Sequence, residues 1–432
     1  MRKTSHIGPY LDLLRRNRDF RRLWTAQLIS MGGDWFSTVA LLGLVMELTG
    51  SELVSGVVLA ASRLPFFFFA PITGVIADRF NRRRLMVTAD LARAALVLMM
   101  LLVRSPETVW IGVVSVAGMS ALDSLFMPAS QAALPNLVAQ KDLSHANALM
   151  GASFGTMLAV GAALGGLVSA TLGRGTAFVV DSASFVLSAA LIVSVRTRFA
   201  ERRGPTSRLR PIRDIREGIA YARSDGRVTA LLLTKAGFGI GAGVIVLLSI
   251  FATEVYETGD AGIGLLFAAR GLGALLGPIG ARAVVGDSQR RLFLAIGASM
   301  ALFGVAYLAF PLVPTLWLAA PLVTVAHLGG GAQWMLSSYE LQRLTPDRVR
   351  GRIFAFDFAL VTLTLSLSLL GAGAAASVVD PRLVMYSFAL TAVAYAAVWT
   401  LRTRRFWGRK AEPAPVPVHG QEAPEVPILP GG

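Results

Sequence analysis

The sequence predicts an all-α membrane protein with twelve transmembrane helices in two six-helix pseudo-repeats. Three observations carry this. Apolar segments long enough to cross a bilayer recur along most of the chain, basic residues gather in alternate connections between them, and the second half echoes the first. The apolar content comes first in the argument. Of 432 residues, 54% are hydrophobic and 16% charged, and the mean hydropathy is +0.61. Soluble domains carry about 25% charged residues. Apolar surface on this scale calls for lipid as solvent.

A span needs roughly 20 apolar residues. Read that way, spans fall at 23–48, 53–77, 85–103, 109–133, 146–172, 176–195, 228–253, 263–283, 292–310, 315–338, 353–379 and 383–401. They are helical because an isolated strand leaves its backbone groups unsatisfied in lipid. The 41 Lys and Arg then orient them. Arg15, Arg16, Arg18, Arg21 and Arg22 precede the first span, and Arg79, Arg82, Arg83 and Arg84 follow the second. Lys141, the stretch from Arg196 to Arg227, Arg290, Arg291, Arg343, Arg348, Arg350 and the tail from Arg402 lie on the same side. The other connections hold only Arg104, Arg174 and Arg382, beside Glu52, Glu107, Glu257 and Asp260. This asymmetry places both termini in the cytoplasm, fixes an even span count and implies the inner cell membrane.

The longest polar interruption divides the chain into a first bundle (1–195), a linker (196–227), a second bundle (228–405) and a tail (406–432). Ile212, Ile215, Ile219 and Ala222 recur at helical spacing in the linker. That suggests either an amphipathic helix on the membrane surface or a simple tether. Six prolines among small and acidic residues predict a disordered tail. The halves correspond position by position. Thr49-Gly50 answers Thr258-Gly259, Ala60-Ala61-Ser62-Arg63 answers Ala268-Ala269-Arg270, Gly74 answers Gly280, and Arg84-Leu85 answers Arg291-Leu292. Equal halves of like orientation are the parallel repeats of a six-plus-six transporter, with its site between them.

Several function classes drop out. The net charge of +15 lies in short runs between apolar segments rather than over a folded surface, which argues against nucleic-acid binding. The absence of cysteine excludes disulfides and thiolate metal sites. His6, His145, His327 and His419 have no metal-ligand spacing, and no metal or cofactor is expected. There is no phosphate-binding G-x-x-x-x-G-K-[ST] loop and no G-x-S-x-G nucleophile motif, so an enzyme is not expected. The basic start and long first span do not fit a cleavable signal peptide.

After the second span the chain reads Gly74-Val75-Ile76-Ala77-Asp78-Arg79-Phe80-Asn81-Arg82-Arg83-Arg84-Leu85. This resembles the signature loop of the major facilitator superfamily, G-x-L-A-D-R-x-G-R-K-x-x-L, with Ile76, Asn81 and Arg83 as departures. Gly74 permits close helix approach, Asp78 is an anion suited to a helix N-terminus or an Arg, and Asn81 tolerates a left-handed turn. The resemblance implies that Gly74, Asp78, Arg79, Arg82 and Arg83 form a latch holding the halves together in the outward-facing state, with Asp78 a switch rather than a substrate ligand. Gly33-Asp34-Trp35, Met127-Pro128-Ala129, Leu134-Pro135-Asn136-Leu137-Val138, Ala146-Asn147-Ala148-Leu149 and Pro346 to Arg352 extend the likeness. Together they look like the drug, macrolide and siderophore efflux branch. The branch's antiporter signature in the fifth helix ends G-P-x-x-G-G, where this chain has Gly161-Ala162-Ala163-Leu164-Gly165-Gly166. The glycines serve tight helix packing; the missing proline leaves uptake or facilitated diffusion as the alternative to export.

Ionisable residues inside apolar spans are costly and point to function or to structural pairing. Asp34 is a midplane carboxylate that either loads a proton or binds a cationic substrate. Arg63 and its repeat partner Arg270 pair with Asp34 or Asp123, or hold an anionic substrate. Asp123 belongs either to the cavity or to the Asp78 latch. Asp181 and Arg93 read as interfacial, and Lys235 and Asp357 as structural, with Asp357 in a first helical turn. His327 and Gln333 are candidate polar contacts, and Phe66 to Phe69, Phe126, Met127, Trp334, Met335 and Tyr339 are candidate apolar lining or core. The expectation is a monomeric, proton-coupled exporter of lipophilic small molecules working by alternating access. A receptor without transport is the more distant reading.

Overall fold

The computed structural model describes residues 8–197, 199, 220–286 and 288–408. The linker positions Ile212, Ile215 and Ile219 and the proline-rich tail lie outside the described residues. Among the described residues there is no strand.

A short amphipathic helix, α1 (Gly8–Arg16), buries Leu13 and precedes the first span, α2 (Arg18–Thr49). Asn17 caps α2 by accepting from the Phe20 amide at 2.9 Å. The second span is broken into α3 (Glu52–Ala61) and α4 (Leu64–Arg79). α5 (Arg82–Met99), α6 (Val109–Leu137), α7 (Leu143–Leu172) and α8 (Arg174–Ser194) complete the first half. The seventh span is also broken, into α9 (Gly226–Gly241) and α10 (Val244–Ile250), and ends in a π-helical turn at Phe251–Val255. α11 (Gly259–Val285), α12 (Gln289–Ala309), α13 (Leu316–Leu344), α14 (Asp347–Ala376) and α15 (Pro381–Thr403) follow.

Eleven of these spans are long and apolar enough to cross a membrane by length and composition. The twelfth is α13, whose 29 residues reach about 44 Å. It is less apolar because it carries buried polar groups inward: His327, Gln333, Ser337 and Glu340. The fold is thus the expected twelve-helix membrane architecture. Two spans that read as continuous in the sequence are not. Pro65 beside the joint at Ser62–Arg63 lacks an amide donor, and Gly241 and Gly243 flank the other joint with low helix propensity. The sequence echo reappears in the backbone. Gly50 (φ 54°) and Gly259 (φ 56°) make the same left-handed turn after the first and seventh spans.

An even number of crossings puts the two ends of the bundle's chain on one face, the terminal face. One large apolar core lies toward the opposite face and draws on both halves, from Val39 and Val58 to Ile245, Phe267 and Leu369. Toward the terminal face each half has its own core, one around Phe20, Met86 and Ala133, the other around Phe293, Leu336 and Trp399. The halves therefore meet on the opposite face and part toward the terminal face. Their contact runs along α7 against α11 and α3 against α14. At Gly166 and Gly264 the backbones touch so closely that a Cβ on Gly166 would lie 2.7 Å from the Gly264 Cα. Further toward the terminal face, a Cβ on Gly151 or Gly280 would meet nothing within 4 Å.

Candidate functional site between the halves

The seam between the halves has three layers. Outermost on the opposite face is an ion pair across the seam: Arg174, at the start of α8, donates Nε to Asp260 Oδ2 at 2.8 Å and Nη2 to Asp260 Oδ1 at 3.0 Å. Glu47 at the end of α2 also pairs with Arg174. Beneath it lies an apolar layer in which Trp35 packs on Phe267 with ring centroids 5.9 Å apart. Ile263 and Val39 are buried beside them. The third layer, where the halves begin to part, holds the charges.

On the first half this layer is a network. Arg93 donates Nη2 to Asp90 at 2.5 Å and Nη1 to Asp123 at 3.4 Å. Its guanidinium is sandwiched 4.7 Å from both the Phe126 and Phe185 ring centroids. Ser188 donates to the other oxygen of Asp90 at 2.7 Å. Asp34 lies within electrostatic reach of Arg93, Asp123, Asp90 and Arg63. Asp181 adjoins Asp34 because Gly33 lets α8 close on α2. Asp181 accepts from Ser184 at 3.3 Å, while its second oxygen has no hydrogen-bond partner. Arg63 sits at the break between α3 and α4, within reach of Asp34 and Asp123. Asp123 keeps 44% of its side-chain surface exposed although it lies midway along α6, whereas Asp90 has 0%. A carboxylate that deep and that exposed faces an interior opening.

On the second half the charges are fewer. Lys235 pairs with Asp357, capped by Trp334 with Nζ 4.8 Å from its ring centroid. His327 is buried and shares a 3.0 Å hydrogen bond with the Tyr307 hydroxyl, with Phe238 and Phe303 edge-on to its ring. Gln333 is buried with its Oε1 unpartnered. Arg270, on the seam face of α11, has a buried Nε without a partner.

Several expectations change. Arg93 and Asp181 are buried inside the bundle rather than interfacial (3% and 0% exposed). α8 packs between α2 and α5, so Arg93 and Asp181 both turn into the bundle, which residue position along a span does not reveal. The partner of Asp123 at salt-bridge distance is Arg93, not Arg63 or Arg270. Asp357 lies well inside α14, which starts at Asp347, so helix-end stabilisation does not apply to it. Asp90 carries no separate signal in the sequence, because it follows so soon after Arg82, Arg83 and Arg84 that it reads as the polar end of the span.

The side chains of Gly74, Asp78 and Arg79 lie outside the described residues. Arg82 donates to the carbonyls of Ala132 at 2.9 Å and Phe199 at 3.2 Å, and Arg83 to that of Thr197 at 2.8 Å. These two arginines thus tie the loop to the segment after α8. Asn81 has φ −66°, so it is not in a left-handed turn; it caps α5 by accepting from the Arg84 amide at 3.2 Å. The fifth-span glycines divide their work. Gly161 and Gly165 seat α2 within the first half, and Gly166 seats α11 across the seam. Phe66 packs on Phe358 of the second half at 5.0 Å, while Phe68 and Phe69 are exposed. Among the described residues no three His, Asp or Glu side chains converge on a metal-binding geometry.

Residues 11–417 match the family described as transmembrane secretion effector. The chain is 27% identical to the multidrug efflux pump Tap of Mycobacterium tuberculosis, over 76% of this chain and 80% of that protein. It is 24% identical to macrolide efflux protein A of Streptococcus pyogenes, over 68% of this chain and 73% of that protein. A 27% match to the uncharacterized MFS-type transporter YfiS of Bacillus subtilis covers 51% of this chain and 53% of that protein. Among solved structures, a bacterial homolog of the human lysosomal transporter Spinster, inward-facing and occupied, superposes with a TM-score of 0.72 at 14% identity, over 92% of this chain and 99% of that one. At that identity the likeness is one of fold.

Proposed function

The chain belongs to the transmembrane secretion effector family of major facilitator transporters, which are not enzymes, and from that premise we propose that it is a proton-coupled exporter of lipophilic small molecules. The observation that carries this reading is the acid excess of the first half. Four carboxylates, Asp34, Asp90, Asp123 and Asp181, share two guanidiniums, Arg63 and Arg93, at the depth where the halves part. Four interior carboxylates beside two cations leave two to be neutralised, and protons are the simplest means. Asp123 gives water a route in. Asp34, between Arg63 and the Asp181 side of the network, is the carboxylate placed to feel both substrate and proton.

The transport step is a rocking of the two halves about the seam. In the conformation described, the Arg174–Asp260 pair and the Trp35–Phe267 layer close the opposite face. We assign the terminal face to the cytoplasm from the arginine asymmetry, so this is the inward-facing state. Opening the other way requires α11 to leave α7 and the basic loop after α4 to hold the terminal face shut. The lining supports lipophilic cargo: Phe66, Phe358 and the exposed Met127 and Trp334 offer adaptable apolar surface beneath the closed Trp35–Phe267 layer. The chain acts as a monomer in this scheme, because each half finds its partner within the same molecule. Ala162 in place of the signature proline favours one competing reading, uptake or facilitated diffusion through the same fold.

A susceptibility panel decides between the directions. A host lacking efflux pumps and expressing the chain should tolerate higher concentrations of several lipophilic antibiotics and accumulate less of a fluorescent one. Unchanged tolerance with raised accumulation of any tested compound contradicts export.

A further inference from the structure

We propose that Arg270 is the receptor for an anionic group on the transported molecule, so that preferred cargo consists of lipophilic organic anions or zwitterions. This rests on the transporter reading and adds a substrate class to it. Ile263, Phe267 and Arg270 recur at helical spacing on one face of α11, and the first two are buried in the seam with Phe267 against Trp35. The other face carries Leu272, Leu276 and Ile279, all exposed, which is the lipid side. Arg270 therefore points into the seam just below the apolar layer, where a bound molecule sits.

Its surroundings leave it without an anion. Arg93 and Lys235 each hold a carboxylate at salt-bridge distance, and Arg63 has Asp34 and Asp123 within electrostatic reach. Among the described residues no carboxylate pairs with Arg270. The groups that act on it electrostatically are Arg63, itself a cation, and Tyr307, and His327, hydrogen-bonded to Tyr307, is within its reach as well. The guanidinium lies 5.8 Å from the Phe267 ring centroid, an aromatic contact that orients it without neutralising it. A guanidinium held near a second one in a low-dielectric seam calls for an anion. Its planar fork suits a carboxylate, sulfonate or phenolate presented two-pronged. The acid-rich first half faces the same space, so a zwitterion finds both of its partners there.

The test uses three dansyl probes of nearly equal size: dansyl-β-alanine (a carboxylate), its primary amide (neutral) and dansylcadaverine (a cation). Each is titrated by fluorescence against the purified full chain in detergent. Wild type should bind the carboxylate about tenfold more tightly than the amide. Arg270→Gln should erase that difference and leave amide binding unchanged, while Arg270→Lys should keep part of it. Wild type that fails to prefer the carboxylate, including one that binds none of the probes, overturns the proposal. So does a stable Arg270→Gln variant that loses all three probes equally, since that is the behaviour of a residue needed for the fold or the conformational cycle. Proton-driven transport of the amide in wild type without a preference for the carboxylate removes the anion site and leaves the exporter reading standing.

Discussion

The two halves share a fold and a turn geometry, yet their polar centres are built in opposite ways. In the first half, charges form an open network with more acids than bases, and one acid, Asp123, remains partly exposed. In the second half, Lys235 and Asp357 close on each other under Trp334, His327 is enclosed by aromatic rings, and Arg270 stands apart. A repeated scaffold leaves each copy free to specialise, because backbone packing tolerates different interior side chains as long as volumes are filled. The first half has the composition of a proton-handling site. The second has that of a rigid wall with one anchoring cation.

The comparison breaks most visibly where a charge is removed. Lys235→Met strands Asp357 in the interior and should cost about 3–5 kcal/mol of stability, read as a shift in denaturant unfolding of the purified protein. Lys235→Met with Asp357→Leu should recover most of that loss and keep transport, because the pair is structural. The parallel replacement in the first half, Arg93→Met with Asp90→Leu and Asp123→Leu, which leaves no partner of Arg93 stranded, should abolish coupled transport even where the protein folds. If the two sets of replacements transport alike, the two centres do not differ in kind.

Smaller effects concern the seam. Gly166→Val forces α11 away from α7 and should disfavour the closed opposite face by about 1–3 kcal/mol. The chain has no cysteine, so cysteines introduced at the exposed Leu172 and Val378 are the sole spin-label sites. Their distance distribution should lengthen in the variant. Asp260→Asn, which weakens a partly exposed ion pair, should produce a slighter shift of the same sign, worth about 1 kcal/mol. No change in either variant would show that the seam's opposite end is held shut by the apolar layer alone.

Much of this architecture was legible in the sequence because lipid imposes simple rules. Span length, the asymmetric arginines and charges conspicuous inside apolar runs located the helices and singled out Asp34, Arg63, Asp123 and Arg270. What stayed hidden depends on helix rotation and on distant partners. Arg174 and Asp260 are 86 positions apart, and as isolated loop residues they carried only topological meaning. The break that places Arg63 in the interior arises where Pro65 meets the packing of α3 on α14, and hydropathy is blind to it. Asn81 stands where the signature has glycine, which suggested a left-handed turn; the backbone there is extended and the side chain caps α5 instead.

The central claim is that the carboxylates of the first half couple transport to protons, and Asp34 tests it most directly. In everted membrane vesicles acidified inside, wild type should accumulate a compound identified by the susceptibility panel, and nigericin should abolish the accumulation. Asp34→Asn, expressed at equal levels, should fail to accumulate the compound while still exchanging labelled for unlabelled molecules across the membrane. Gradient-driven accumulation by Asp34→Asn at the wild-type level, or wild-type accumulation that survives nigericin, would contradict it.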